Sequence, residues 1–160
     1  MSKPENRSDR MLRLMPMTDD LTLIILKGHL LIEEQLNDFF DRCAMYPRIL
    51  DGARLSFAQK LRVVRAFCVS PNDSVSWLLA DELNRLRNKI SHKVEVLDLD
   101  ALVDAFVAIP KFSIIPGLSE PTRALRLKWA IHYIAGGLEA LTEVMALDRK
   151  AQSKRKTKGA

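Results

Sequence analysis

The sequence predicts an all-α protein, an antiparallel helical bundle of about five helices, and three observations carry that expectation. Apolar residues recur at steps of three and four along most of the chain, with no alternating run long enough for a strand. Leu, Ala, Arg and Ile dominate, whereas aromatic residues make up only 6% and Gly plus Pro total 13 of 160 residues, a balance that favours helices over sheets. Hydrophobic residues at 48% beside charged ones at 28% fit a folded globular chain of about one domain. The expected organisation is a flexible lead at 1–17, a helical domain at 18–148 and a disordered basic tail at 149–160.

Each element has a local reason. The lead is polar and interrupted by Pro4 and Pro16. Thr18-Asp19-Asp20 places a cap and acids at the start of the first helix, whose stripe runs Leu21, Ile25, Ile32, Leu36, Phe39 and Cys43 to about Met45. Tyr46-Pro47 and Asp51-Gly52 break the chain. Ser56-Phe57-Ala58-Gln59 has the form of a capping box, opening a second helix with Leu61, Val64 and Cys68 on one face. Pro71-Asn72-Asp73 stops that helix and starts the third, which carries Leu79, Leu83, Leu86 and Ile90. Asp98 is expected to cap a short fourth helix with Leu99, Leu102, Val103 and Phe106, ending before Pro110. Lys111 to Leu118 reads as an apolar loop. Ser119-Glu120-Pro121 then begins a long last helix with the stripe Leu127, Ile131, Ile134, Leu138, Leu141 and Met145. Gly136-Gly137 inside it should cost about 1 kcal/mol each relative to alanine, and a close helix–helix approach is the expected compensation.

Composition excludes several classes of function. No apolar run approaches the ~20 residues that span a bilayer, and the first fifteen residues are charged throughout, so a cytoplasmic protein is expected. Cys43 and Cys68 are too few for a disulfide scaffold or a zinc site, and both fall on apolar stripes as structural thiols. Trp77 and Trp129 read as core or interface residues. There is no glycine-rich phosphate loop, no paired His–Glu zinc motif and no Gly-x-Ser-x-Gly elbow. The only histidines are His29, His92 and His132, so no metal or cofactor is expected. The net charge of +5 belongs to the tail. Arg149, Lys150, Lys154, Arg155, Lys156 and Lys158 meet no acid, and without those six the chain holds 19 bases against 20 acids.

One segment can carry chemistry: Asn84-Arg85-Leu86-Arg87-Asn88-Lys89-Ile90-Ser91-His92. On a helix whose core direction is Leu79, Leu83, Leu86 and Ile90, Arg87 lies ~70° from the core direction, while Asn88 and His92 stack on the opposite face. Cutting RNA without a metal needs a proton acceptor for the 2′-hydroxyl and a cation for the charge developing on phosphorus. Histidine suits the first task and the arginine fork the second. Arg87 and His92 diverge by ~140° within one helix, so a two-fold dimer that supplies a second copy of each is the expected way to complete the site. Lys111–Leu118 offers spare apolar surface for such a homodimer. His29 and Glu33, one turn apart on the first helix, are read as a supporting pair or a plain surface pair. His132 is read as packing.

The segment Arg87-Asn88-x-x-x-His92 resembles the R-x(4–6)-H signature of HEPN domains, including the polar residue after the arginine. Gly28-His29-Leu30-Leu31-Ile32-Glu33-Glu34-Gln35-Leu36 and Leu55-Ser56-Phe57-Ala58-Gln59-Lys60-Leu61 are similar to the same group, so the likeness runs from about Leu21 to Lys93. It implies a helical, often dimeric protein and a metal-independent endoribonuclease with a composite site, as in toxin–antitoxin and defence systems. Arg87, Asn88 and His92 would be catalytic, products would end in 2′,3′-cyclic phosphate, and the partners would be RNA and a neutralising antitoxin or nucleotidyltransferase. Some relatives, the mannitol-operon repressor family among them, carry a similar stretch with a regulatory assignment. The alternative is therefore a non-catalytic dimerisation or protein-interaction module. No DNA-reading helix-turn-helix is evident, so sequence-specific DNA binding is not expected.

If the tail acts only as a cluster of charge, truncation after Asp148 should weaken RNA binding mainly at low salt. Single-turnover cleavage at saturating protein should be unchanged. Filter binding across a salt series, beside a cleavage time course, checks both halves.

Overall fold

The computed structural model describes residues 7–50, 52–68, 75–92, 98–110 and 120–158. Six α-helices and one 3₁₀ turn account for most of them, with no strand among the described residues: α1 (Arg7–Leu14), α2 (Leu21–Cys43), the turn at Pro47–Ile49, α3 (Phe57–Arg65), α4 (Val75–Ser91), α5 (Leu99–Val107) and α6 (Arg123–Lys158). No helix among them is long and apolar enough to cross a membrane. The start and stop at Pro71-Asn72-Asp73 and the apolar loop at Lys111–Leu118 lie outside the described residues.

The lead differs from its expectation. Residues 7–14 form α1, and Met11 and Met15 are 2% and 5% exposed in the common core. Two methionines four apart suffice to dock one helical face, whatever the charges on the other. Arg10 reaches Glu34 of α2 at 2.6 Å. The basic end differs too. α6 continues through Arg149 and Lys150 to Lys158, and Arg149 donates to the Arg42 carbonyl at 2.8 Å. Lys, Arg, Ala and Gln are all good helix formers, so nothing local stops the helix at Asp148.

Local signals set most boundaries. The Asp20 carboxylate accepts from the Leu23 N–H at 3.0 Å, and Ser56 with Gln59 closes a reciprocal capping box. Two starts are corrected. Asp98 stands at the head of α5 with φ 61° and makes no side-chain cap, because a left-handed backbone turns its carboxylate from the first turn. The last helix begins at Arg123, not at Ser119-Glu120-Pro121. The Thr122 hydroxyl accepts from the Leu125 N–H at 3.2 Å and takes the capping role. Cys43 and Cys68 are half-buried, each donating weakly to a carbonyl, that of Thr142 and Val64 respectively.

The core is a set of fully buried stripes: Ile25, Ile32, Leu36 and Phe39 of α2, Leu79 and Leu83 of α4, and Leu127, Ile131, Ile134 and Leu138 of α6. α4 runs antiparallel to α2 and α6, since Asn84 meets His29 near the start of α2 while Ser76 lies under Gly137 further along α6. α2 and α6 instead run in the same sense, Gly28 against Ile131 and Arg42 against Glu143. Three intervening helices make that arrangement possible, because a long connection carries no antiparallel constraint. α5 is clamped to the start of α6 by Arg123, which pairs with Asp100 at 2.7 Å and Asp104 at 2.8 Å. That fork holds the Asp104 carboxyl below its ordinary range.

The glycines divide by neighbour. A Cβ at Gly137 would stand 2.7 Å from the Ser76 hydroxyl, the close approach expected there, whereas one at Gly136 would meet nothing within 4 Å. A second close approach lies at Gly28, where a Cβ would stand 2.6 Å from Ile131 Cδ1 and 3.1 Å from its Cγ2. Ile131 is fully buried and has nowhere to retreat. Gly28→Ala should therefore destabilise the fold by roughly 1–3 kcal/mol through overpacking. Gly136→Ala should instead stabilise the monomer by about 0.5–1 kcal/mol through helix propensity. Urea unfolding of the two variants in dilute solution checks the opposite signs.

Candidate functional site

Asn84–Ser91 forms the last two turns of α4 and His92 follows in the turn that ends it, and the direction of each helical side chain follows from the buried stripe. Leu83 and Leu86 point inward, Asn84 and Arg87 lie half-buried on the flank, and Arg85, Asn88, Lys89 and His92 are exposed. Arg87 Nη1 donates to Asn88 Oδ1 at 3.3 Å, and Ser91 Oγ donates to the Arg87 carbonyl at 3.0 Å. The His92 N–H closes the final turn on the Asn88 carbonyl at 3.2 Å. Among the described residues no hydrogen bond joins Arg87 to His92, in keeping with the divergence of positions five apart.

His29 is placed differently from its expected surface pairing with Glu33. It is 4% exposed, in the seam where α2, α3 and α4 meet. Its ring stacks on Phe57 at 4.2 Å between centroids, and Nε2 donates to Asn84 Oδ1 at 3.1 Å. Glu33 turns away to accept from Lys60 Nζ at 2.8 Å. The physical reason is that Phe57 offers a flat apolar face and Asn84 a polar atom, so the imidazole is both buried and satisfied there. Burial lowers the His29 pKa below the ordinary value. The Asn84 bond and the Glu33 charge oppose that shift, and the Arg87 and Lys60 charges add to it.

The five candidates from α2 and the end of α4 therefore split into two groups. His29 is brought behind the end of α4, where it bonds Asn84 one turn before Asn88. Glu33 belongs to the same seam only through Lys60. Asn84, Phe57 and Lys60 are the participants that sequence reasoning passed over. Asn84 had one signal, a place four residues before Asn88 on the same helix.

Other candidates are accounted for by packing. His132 is half-buried, with Nδ1 on the Lys128 carbonyl at 2.9 Å. Trp77 is buried and Trp129 is partly exposed on the outside of α6. Burial pushes the Cys68 thiol pKa up, with the Arg65 charge opposing, so it stays a protonated thiol. Among the described residues no three His, Cys, Asp or Glu side chains gather in a way that could hold a metal ion. In comparisons with known proteins, no family model, no curated protein and no solved structure matches this chain.

The buried imidazole makes stability depend on pH. A folded-state pKa below the unfolded one means the unfolded chain binds more protons as pH drops, so stability falls on acidification. The loss begins near the ordinary value of about 6.5 and is complete below the depressed folded value. Urea midpoints should drop between pH 7.5 and pH 5, well above the range in which carboxylates titrate. His29→Phe should flatten that drop. Asn84→Ala, which strips the buried ring of its acceptor, should cost roughly 1–3 kcal/mol at pH 7.5.

Proposed function

We propose that this protein is a metal-independent endoribonuclease acting through the exposed end of α4, in the manner of the HEPN domains its sequence resembles. The observation that carries the reading is the cationic and polar edge formed by Arg85, Arg87, Asn88, Lys89 and His92, exposed or half-exposed on an ordered helix and braced by the buried His29–Asn84 contact.

The chemistry assigns one role to each group. An RNA phosphate seated on Arg87 places the adjacent 2′-hydroxyl toward His92. The neutral His92 imidazole accepts the hydroxyl proton while the oxygen attacks phosphorus. The P–O5′ bond breaks, the 5′-oxygen takes a proton from an imidazolium or water, and a 2′,3′-cyclic phosphate remains. The Arg87 fork neutralises the charge on the non-bridging oxygens, and Asn88, which accepts from Arg87 Nη1, fixes the fork's direction. Two copies meeting along this edge would set Arg85 and Lys89 against like charges. The composite form of the site thus assembles around an RNA phosphate, not ahead of it. A toxin or defence role, held in check by an antitoxin or nucleotidyltransferase partner, suits such an activity.

His92→Ala and Arg87→Ala should each slow cleavage by about a hundredfold or more while leaving the fold intact, since neither residue enters the core. Arg87→Lys keeps the charge and loses the fork, so a partial loss is expected. Chelator should have no effect, a DNA oligonucleotide should resist, and the products should carry 2′,3′-cyclic ends. Failure of the purified protein to cut any RNA, or wild-type rates from His92→Ala, would replace this reading with the protein-interaction module.

A further inference from the structure

The outer face of α6 is apolar for most of its length. Leu125, Trp129, Tyr133, Val144 and Leu147 are all exposed, the last two at 64% and 63%. With 100° per residue they fall within an arc of ~100°, on the side away from the buried Leu127, Ile134 and Leu138. The stripe is about 33 Å long, more than scattered surface apolar residues form by chance. Gly136 and Ala140, both exposed, lie in the same arc at its midpoint. Within this chain Gly136 serves no packing purpose, because a Cβ there would meet only open space. A glycine that costs helix stability and admits no neighbour of its own chain is explained by a backbone from elsewhere.

We infer that two copies of this chain pair through α6, antiparallel, with the two-fold axis beside Gly136 and Gly137. That register makes the stripe complementary to itself. Tyr133 falls opposite Ala140 of the second copy and Trp129 opposite Val144, so each aromatic ring meets a smaller side chain on either side of a glycine crossing, and Leu125 lies beside Leu147. The charged rims agree with that register. Antiparallel helices bring like flanks together, so exposed Arg126, which also reaches Asp104 of its own chain at 3.5 Å, faces Asp148 on one flank. On the other flank Lys128 faces Glu143, which also holds Arg42 at 2.7 Å. Each pair occurs twice by symmetry. One helix face is smaller than the roughly 800 Å² per partner of a standard interface, so a reversible dimer is expected.

This pairing does not rest on the ribonuclease reading, and none of the residues it uses belongs to the α4 edge. Light scattering of the wild type should give the mass of two chains at high micromolar concentration and of one chain at nanomolar. Val144→Lys, at a position that packs on nothing in its own chain's core, should weaken association by roughly tenfold or more. Its circular dichroism should be unchanged, and so should any RNA cleavage. Register is read by disulfide trapping. On mild oxidation Gly136→Cys should form a 136–136 cross-link identified by mass spectrometry. Ala151→Cys, exposed on the same arc but far from its own copy in an antiparallel pair, should not. Cross-linking at both positions would show a parallel pair and overturn the proposed arrangement. A monomer at high micromolar concentration with no 136–136 link would overturn the inference altogether.

Discussion

Ile131 rests against the backbone of α2 where Gly28 leaves room for it, and the placement of the remaining helices depends on that contact. Without a side chain at 28, α6 comes close enough for Ile131 and Ile134 to share one core with Ile25 and Ile32. α4 then fills the groove between the two long helices, its own close approach set by Gly137 over Ser76. Two glycines on two helices thus fix the spacing of the three elements that hold most of the core. α1, α3 and α5 are short and pack onto a frame that already exists.

That frame also decides what the end of α4 presents. Its buried stripe rolls the helix so that Arg87 sits on the flank and Asn88 and His92 face outward. The seam behind it is filled by His29, whose burial trades charge for position: a neutral ring stacked on Phe57 and bonded to Asn84 holds three helices in register. The outward groups can afford exposure because nothing in the core relies on them. Rigidity behind and cations in front are what the proposed phosphate-handling role would need.

Most element boundaries were legible because their causes are local. Asp20 before the α2 stripe, and Ser56 three residues ahead of Gln59, act within one helical turn. Features that failed to show were those whose causes lie far along the chain. α1 has three arginines in eight residues, so its docking rests on Met11 and Met15 finding a core built by α2 and α6. Asp98 has the residue type of a cap and the wrong backbone angle, which residue type does not reveal. In the candidate site the α4 edge was readable from periodicity alone. The seam behind it was not, since Asn84 is 55 residues from His29 and Lys60 is 27 from Glu33.

By itself, then, the sequence determined the helical elements, most of their caps and which face of each turns inward, because helix formation depends on residues three and four apart. Only the tertiary structure decided that α2 and α6 run in the same sense, that His29 is buried and that Glu33 belongs to Lys60. Each of those outcomes is a choice among partners separated by long stretches of chain. Such choices are settled by shape at Gly28 and Gly137 and by the need of buried polar atoms for a hydrogen bond, and neither is written in local spacing.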